Sequence, residues 1–294
     1  MLLTVPVLFH PTVEGSRMRV ARLTTAVVVS AALLACSEQP MSAPQTPTPN
    51  FIINGVPTGT DFASVGALLF DFNADGVING DDEWCTGSLI SRTVFLTAAH
   101  CVISSYTPPG TQFYVSFASD LYGSSFQAIQ ATGYTFDPAF GHDQADLHDL
   151  AVVFLPANAT KGMKIYQLPT AGLLERLSYQ NGLKDAVFVN VGYGTSNTRT
   201  GVPDFPYDGL RSTSESEFLG LQPAWLGLNM NISATDLGGD CYGDSGGPKF
   251  LKGNLNVIVA TVTTGDYPCR ATSWDYRTDT PNARAFLGQF VTLP

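Results

Sequence analysis

Gly243-Asp244-Ser245-Gly246-Gly247-Pro248 sets the terms for the rest of the chain. Glycines on both sides of one serine allow a tight, exposed turn, so the hydroxyl and nearby amides can meet a substrate carbonyl. A serine hydroxyl is a weak nucleophile near neutral pH. It needs a base within hydrogen-bond reach, and imidazole titrates in the right range. The four histidines, His10, His100, His142 and His148, all precede Ser245. Any histidine base must therefore come from upstream.

That order separates two architectures. A Gly-x-Ser-x-Gly elbow on an α/β sheet places its histidine after the serine, which this chain cannot do. Working outward, Thr97-Ala98-Ala99-His100-Cys101 follows an apolar run, Val94–Leu96, and supplies the upstream base. The third member must be a carboxylate that holds the imidazole tautomer. Asp149 opens another apolar run, Leu150–Leu155, where a strand end can fix it. Asp137, Asp143 and Asp146 lie on a loop beside it and orient less well. His142, Asp146 and His148 are read as ordinary loop residues rather than as a metal cluster.

The surroundings are those of an all-β protein. Short apolar runs separated by turn residues predict strands at Val65–Phe72, Gly87–Ser91, Val94–Ala98, Phe113–Phe117, Ala128–Tyr134 and Leu150–Leu155. Further strands are predicted at Val187–Val191, Gly227–Ile232, Pro248–Leu251 and Asn256–Val262. Thr280-Pro281 can cap a helix carrying Ala283, Phe286, Leu287 and Phe290 on one face. Acidic residues outnumber basic ones 25 to 15 in 294 residues, which discounts nucleic acid as a partner.

Four of the five cysteines, Cys85, Cys101, Cys241 and Cys269, form an even set, as expected of disulfides in an oxidising compartment. The fifth, Cys36, ends a segment with Arg19 and Arg22 before an apolar run, Ala26–Leu34. This is the pattern of an export signal. Leu33-Leu34-Ala35-Cys36 resembles the bacterial lipobox, which implies acylation of Cys36. The expected layout is a signal peptide at 1–36, a Pro/Thr-rich tether and propeptide at 37–51, and one folded domain at 52–294. Exported protein would be an envelope lipoprotein, or secreted after cleavage, touching membrane only through its lipid.

Taken together, Thr97–Cys101, Asp149–Leu155 and Gly243–Pro248 resemble the chymotrypsin/trypsin family of serine proteases. Ile52-Ile53-Asn54-Gly55, Cys85-Thr86-Gly87-Ser88-Leu89-Ile90 and Gly192-Tyr193-Gly194 resemble further pieces of it. The resemblance implies two six-stranded antiparallel β-barrels with a short C-terminal helix and the active site between the barrels. It implies disulfides Cys85–Cys101 and Cys241–Cys269, and a triad of His100, Asp149 and Ser245. The amides of Gly243 and Ser245 would form an oxyanion hole. A zymogen cut between Phe51 and Ile52 would free an Ile52 ammonium to meet Asp244, and would part the domain from its anchor. Substrates would be proteins or peptides, an activating protease would be a second partner, and the enzyme would be a monomer needing no cofactor for catalysis.

The same likeness puts Gly239 at the base of the substrate pocket, Asp240 beside it, Thr263, Thr264 and Gly265 on its wall, and Trp274, Asp275 and Tyr276 near its far side. Asp240 or Asp275 could favour basic substrates; a structural role for both would leave an apolar-preferring pocket. Sequence leaves the two open. Separately, Asp71, Asn73, Asp75, Val77, Asn79 and Asp82 have the spacing of an EF-hand or dockerin calcium loop, with Gly76 at its sixth position. The expectation is a structural calcium, set against an acidic turn.

Overall fold

The computed structural model describes residues 52–196 and 203–294. The expected leader, Cys36 and the tether up to Phe51 lie outside the described residues. Among those described, no helix is long and apolar enough to cross a membrane.

Apart from a two-residue strand β1 (Val56–Pro57), the first half of the domain forms one antiparallel sheet. Its strands are β2 (Val65–Leu69), β3 (Glu83–Leu89), β4 (Val94–Thr97), β5 (Tyr114–Ser116), β6 (Ile129–Gln130), β7 (Gly133–Phe136) and β8 (Ala151–Phe154). They lie in the order β6-β5-β2-β3-β4-β8-β7. One predicted strand, Ala128–Tyr134, is two. The Ala131 N–H bonds back to Phe113 while the Thr132 N–H bonds to Phe154, so the chain crosses from one edge of the sheet to the other at this corner. The sheet stays a half-barrel because β6 and β7 do not pair with each other. Leu68, Leu89, Phe95, Phe113, Val115 and Val153 fill its interior and are fully or almost fully buried.

The second half closes. β9 (Val187–Gly192), β10 (Ser212–Leu221), β11 (Trp225–Asn229), β12 (Pro248–Leu251), β13 (Asn254–Gly265) and β14 (Thr272–Arg277) form a six-stranded barrel completed by the β9–β10 pairing. Two of these strands, β10 and β14, were not expected: β10 is polar from Ser212 to Glu217 and turns apolar only at Phe218, and β14 is polar at Thr272, Ser273, Asp275 and Arg277. Ser212, Ser214 and Ser216 form the buried face of β10, and Ser273 and Asp275 are buried on β14. An inward face of serine and aspartate has no hydrophobic alternation for a pattern search to find. The two-barrel, all-β architecture is thus present, with the first barrel open and the second closed.

Helices are few: α1 (Ala99–Val102), α2 (Leu173–Tyr179), α3 (Ile232–Thr235) and α4 (Pro281–Leu287). The last starts as expected. Thr280 accepts the Ala283 N–H, Pro281 opens the first turn, and Ala283, Phe286 and Leu287 are buried.

Candidate active site

His100 sits in the single turn of α1, directly after β4, and Asp149 sits directly before β8. Those strands pair, with Thr97 opposite Ala151, so the sheet sets the distance between the two side chains. His100 Nδ1 lies 2.8 Å from Asp149 Oδ2, and the His100 backbone N–H donates to Oδ1 at 2.9 Å. Asp149 has no exposed surface, whereas the His100 side chain keeps 32% of its own. The carboxylate is therefore spent on the imidazole, whose other edge is free to face the cleft. Burial alone would lower the His100 pKa; the charge of Asp149 and its hydrogen bond outweigh that and hold it above 6.5.

The serine comes from the second barrel, on the turn before β12. Gly243 has φ +96°, a conformation that costs glycine little and other residues much. The Ser245 carbonyl accepts the Thr86 N–H at 2.8 Å, and the Gly243 carbonyl accepts the Thr86 hydroxyl at 2.9 Å. One residue of β3 thus pins the serine turn to the first barrel. Neither the Gly243 N–H nor the Ser245 N–H donates to another group among the described residues. His100, Gly243 and Ser245 line one cavity of about 430 Å³. Among the described residues, no hydrogen bond joins the Ser245 and His100 side chains.

Asp244 points away from the cavity and is almost fully buried. It accepts the N–H groups of Gly194 at 2.9 Å and Cys241 at 2.8 Å. A Cβ at Gly194 would come within 2.3 Å of that carboxylate, which is why the Gly192-Tyr193-Gly194 segment tolerates it only as glycine. Burial pushes the Asp244 pKa up to about 8, with the two N–H bonds opposing and Asp240 adding. Ile52 is fully buried, and Ile53 exchanges backbone hydrogen bonds with Gly239. Both disulfides, Cys85–Cys101 and Cys241–Cys269, are present.

The pocket differs from its expected outline. Asp240, Thr263, Thr264 and Gly265 line the cavity, but Gly239, Trp274, Asp275 and Tyr276 do not. Met230 takes the place expected of Gly239: its thioether fills the space a side chain at 239 would need, with Sδ 2.1 Å from an ideal Cβ there. No motif marked Met230, since it follows an unremarkable strand. Asp240 is buried with both oxygens engaged, by Lys249 Nζ at 2.7 Å and Ser273 Oγ at 2.7 Å. Lys249 was missed too. It follows the serine motif directly, yet nothing local shows that its ammonium turns inward.

Five of the six residues expected to hold calcium in the acidic loop accept backbone N–H groups. Asp82 is fully buried, and its oxygens accept the Phe72 and Asn79 N–H groups. Asp71, Asn73 and Asp75 accept N–H groups of Asp75, Gly76 and Val77 within the loop, and Asn79 accepts that of Asp81. Among the described residues, the one group of three His, Cys, Asp or Glu side chains whose ligand atoms lie within 4.8 Å of one another is Cys85, His100 and Cys101, where the cysteines are already bonded together. His148 instead lies 3.0 Å from Asp137, and Asp146 accepts the Tyr276 hydroxyl and an Asn282 amide N–H.

Comparisons with known proteins bear on the family and the fold. The sequence model for trypsin matches residues 69–285. A collagenase of Hypoderma lineatum is 27% identical over 66% of this chain and 72% of its own. A trypsin of Simulium vittatum is 25% identical over 72% of this chain and 85% of its own. Among solved structures, human heparin binding protein (CAP37) superposes with a TM-score of 0.59 at 17% identity, over 82% of this chain and 96% of that one. At that identity the likeness speaks for the fold alone.

Proposed function

The chain belongs to the trypsin family, and from that premise we propose that it is a serine endopeptidase working through His100, Asp149 and Ser245. The observation that carries the proposal is the His100–Asp149 pair, its carboxylate buried and its imidazole open to the cavity that Ser245 shares. Ser245 Oγ attacks the scissile carbonyl as His100 Nε2 takes its proton. Asp149, held at Nδ1, fixes the tautomer and stabilises the imidazolium. The free N–H groups of Gly243 and Ser245 receive the oxyanion. His100 then protonates the leaving amine, and water repeats the sequence on the acyl-enzyme.

The zymogen proposal rests on two groups. Asp244 is a buried carboxylate whose neighbours leave its pKa near 8, and Ile52 is buried at the start of the domain. An ammonium freed at Ile52 would supply the cation that Asp244 lacks. Export, acylation of Cys36 and release of the domain by that cut are proposed from the sequence. Fully active enzyme that stays membrane-bound with residues 36–51 attached would sink the release step.

Cleavage of an unfolded protein by chain beginning at Ile52, with Ser245→Ala as control, tests the activity. New peptide termini from the wild type alone support an endopeptidase. Ester hydrolysis without amide hydrolysis would make it an esterase on this scaffold, and neither would leave a binding protein.

A further inference from the structure

Beneath the cavity, the closed barrel holds a buried polar assembly that the triad does not use. Lys249 has no exposed surface, and its Nζ donates to Asp240 Oδ1 and Asn190 Oδ1, each at 2.7 Å. Asp275 Oδ1 lies 3.6 Å from the same ammonium. Ser273 Oγ joins the carboxylates, 2.7 Å from Asp240 and 2.9 Å from Asp275. Asn190 then donates to the hydroxyls of Ser214 and Ser216, which donate to the carbonyls of Gly239 and Gly238, the two residues before Asp240.

We infer that Lys249 is a specificity-determining residue: by neutralising Asp240 from inside the barrel it gives the substrate pocket a preference for uncharged, apolar side chains over lysine and arginine. The inference deepens the endopeptidase reading and rests on it for the word substrate. Asp240 is the one carboxylate at the pocket floor that could receive a cation, and both its oxygens are taken. Asp266, the other acidic residue on the cavity, is turned into its own loop by the N–H groups of Arg270, Ala271 and Thr272. Met230 and Val262 supply apolar wall. A cationic side chain entering here would lose its water and find an ion pair already closed.

The charge count agrees. Burial alone would pull the Lys249 ammonium down, but Asp240 and Asp275 hold it above the ordinary lysine value. Burial pushes Asp275 well above the ordinary carboxylate range, with Lys249 opposing. The geometry pairs the lysine with Asp240 first, at 2.7 Å against 3.6 Å to Asp275.

Two probes of like shape test this without catalysis: benzamidinium, a cation, and neutral benzamide, titrated by calorimetry into the Ser245→Ala chain beginning at Ile52. Benzamide should bind at least as well as benzamidinium. The Lys249→Met/Asp275→Asn variant, which leaves Asp240 as the free charge, should bind benzamidinium on the order of tenfold more tightly. With active enzyme, peptides carrying Leu or Met before the scissile bond should outrun those carrying Arg by roughly 100-fold in kcat/KM. Benzamidinium binding better than benzamide in the Lys249-containing chain, or an arginine preference, overturns the inference. So does a folded double variant with no gain for the cation. Should that variant fail to fold, Asp240→Asn replaces it: an unchanged order of the two probes supports the inference, and loss of a cation preference contradicts it. Failure of peptide cleavage alone would count against the endopeptidase reading and leave the probe result standing.

Discussion

The two barrels contribute opposite kinds of interior to one cleft. The first is packed with Leu68, Leu89, Phe95, Phe113 and Val153, and the His100–Asp149 pair stands at its rim. The second carries Lys249, Asp240, Asp275, Ser273 and Asn190 inside it, linked through Ser214 and Ser216 to the carbonyls of Gly239 and Gly238. Each barrel thus holds a buried acid beside a base, put to different ends. Asp149 faces an imidazole that keeps one edge free. Asp240 faces a lysine that keeps its proton and has none. An apolar barrel makes a rigid mount for chemistry, while a polar one sets the charge that a substrate meets.

The largest effect should come from disarming the first pair. Asp149→Asn should lower kcat for peptide cleavage on the order of 10⁴-fold, the size such a change has in triads of this type, with the circular dichroism unchanged. A loss under tenfold would break the comparison, since the rim pair would then not be the working one. Lys249→Met should reach folding rather than chemistry. Leaving Asp240 and Asp275 without their cation should cost about 3–5 kcal/mol in urea unfolding. Adding Asp240→Asn and Asp275→Asn should recover most of it; no recovery would mean that packing, not charge, sets the cost.

Smaller effects test the anchors of each half. Cys85–Cys101 closes a loop of 16 residues beside His100. Replacing both cysteines by alanine should cost about 3 kcal/mol while the Lys249 network stays intact. The acidic loop is the weakest case. If Asp71, Asn73 and Asp75 hold calcium, the ion at tenfold its Kd should add about 1.4 kcal/mol, a rise of a few degrees in Tm. Equal Tm in calcium and in chelator would make the loop an acidic turn held by its own amides.

This contrast also accounts for what could be read in advance. The strands of the first barrel show as apolar runs because their inward faces are apolar, and the triad candidates lie at the ends of such runs. The second barrel was only partly legible. Its β9, β12 and β13 show hydrophobic runs, but β10 turns Ser212, Ser214 and Ser216 inward and β14 turns Ser273 and Asp275 inward. Asp240 was legible as a pocket residue, but the lysine that neutralises it lies nine residues away on β12. Met230, likewise, lies just past β11, where its N–H bonds to the Ala271 carbonyl before β14, and it lines the pocket from there.

The central claim is that the two barrels together activate Ser245. Labelling by a fluorophosphonate, followed by intact mass on chain beginning at Ile52 across pH, tests it most directly. One adduct should form, absent from Ser245→Ala. Its rate should rise with pH through a midpoint above 6.5, because His100 must lose a proton that Asp149 helps it keep. Stability should run the other way. A histidine pKa raised by folding stabilises the fold below the unfolded value near 6.5, and that contribution fades as pH climbs through the folded value. No adduct on folded, disulfide-bonded protein, or a rate indifferent to pH, would contradict the account.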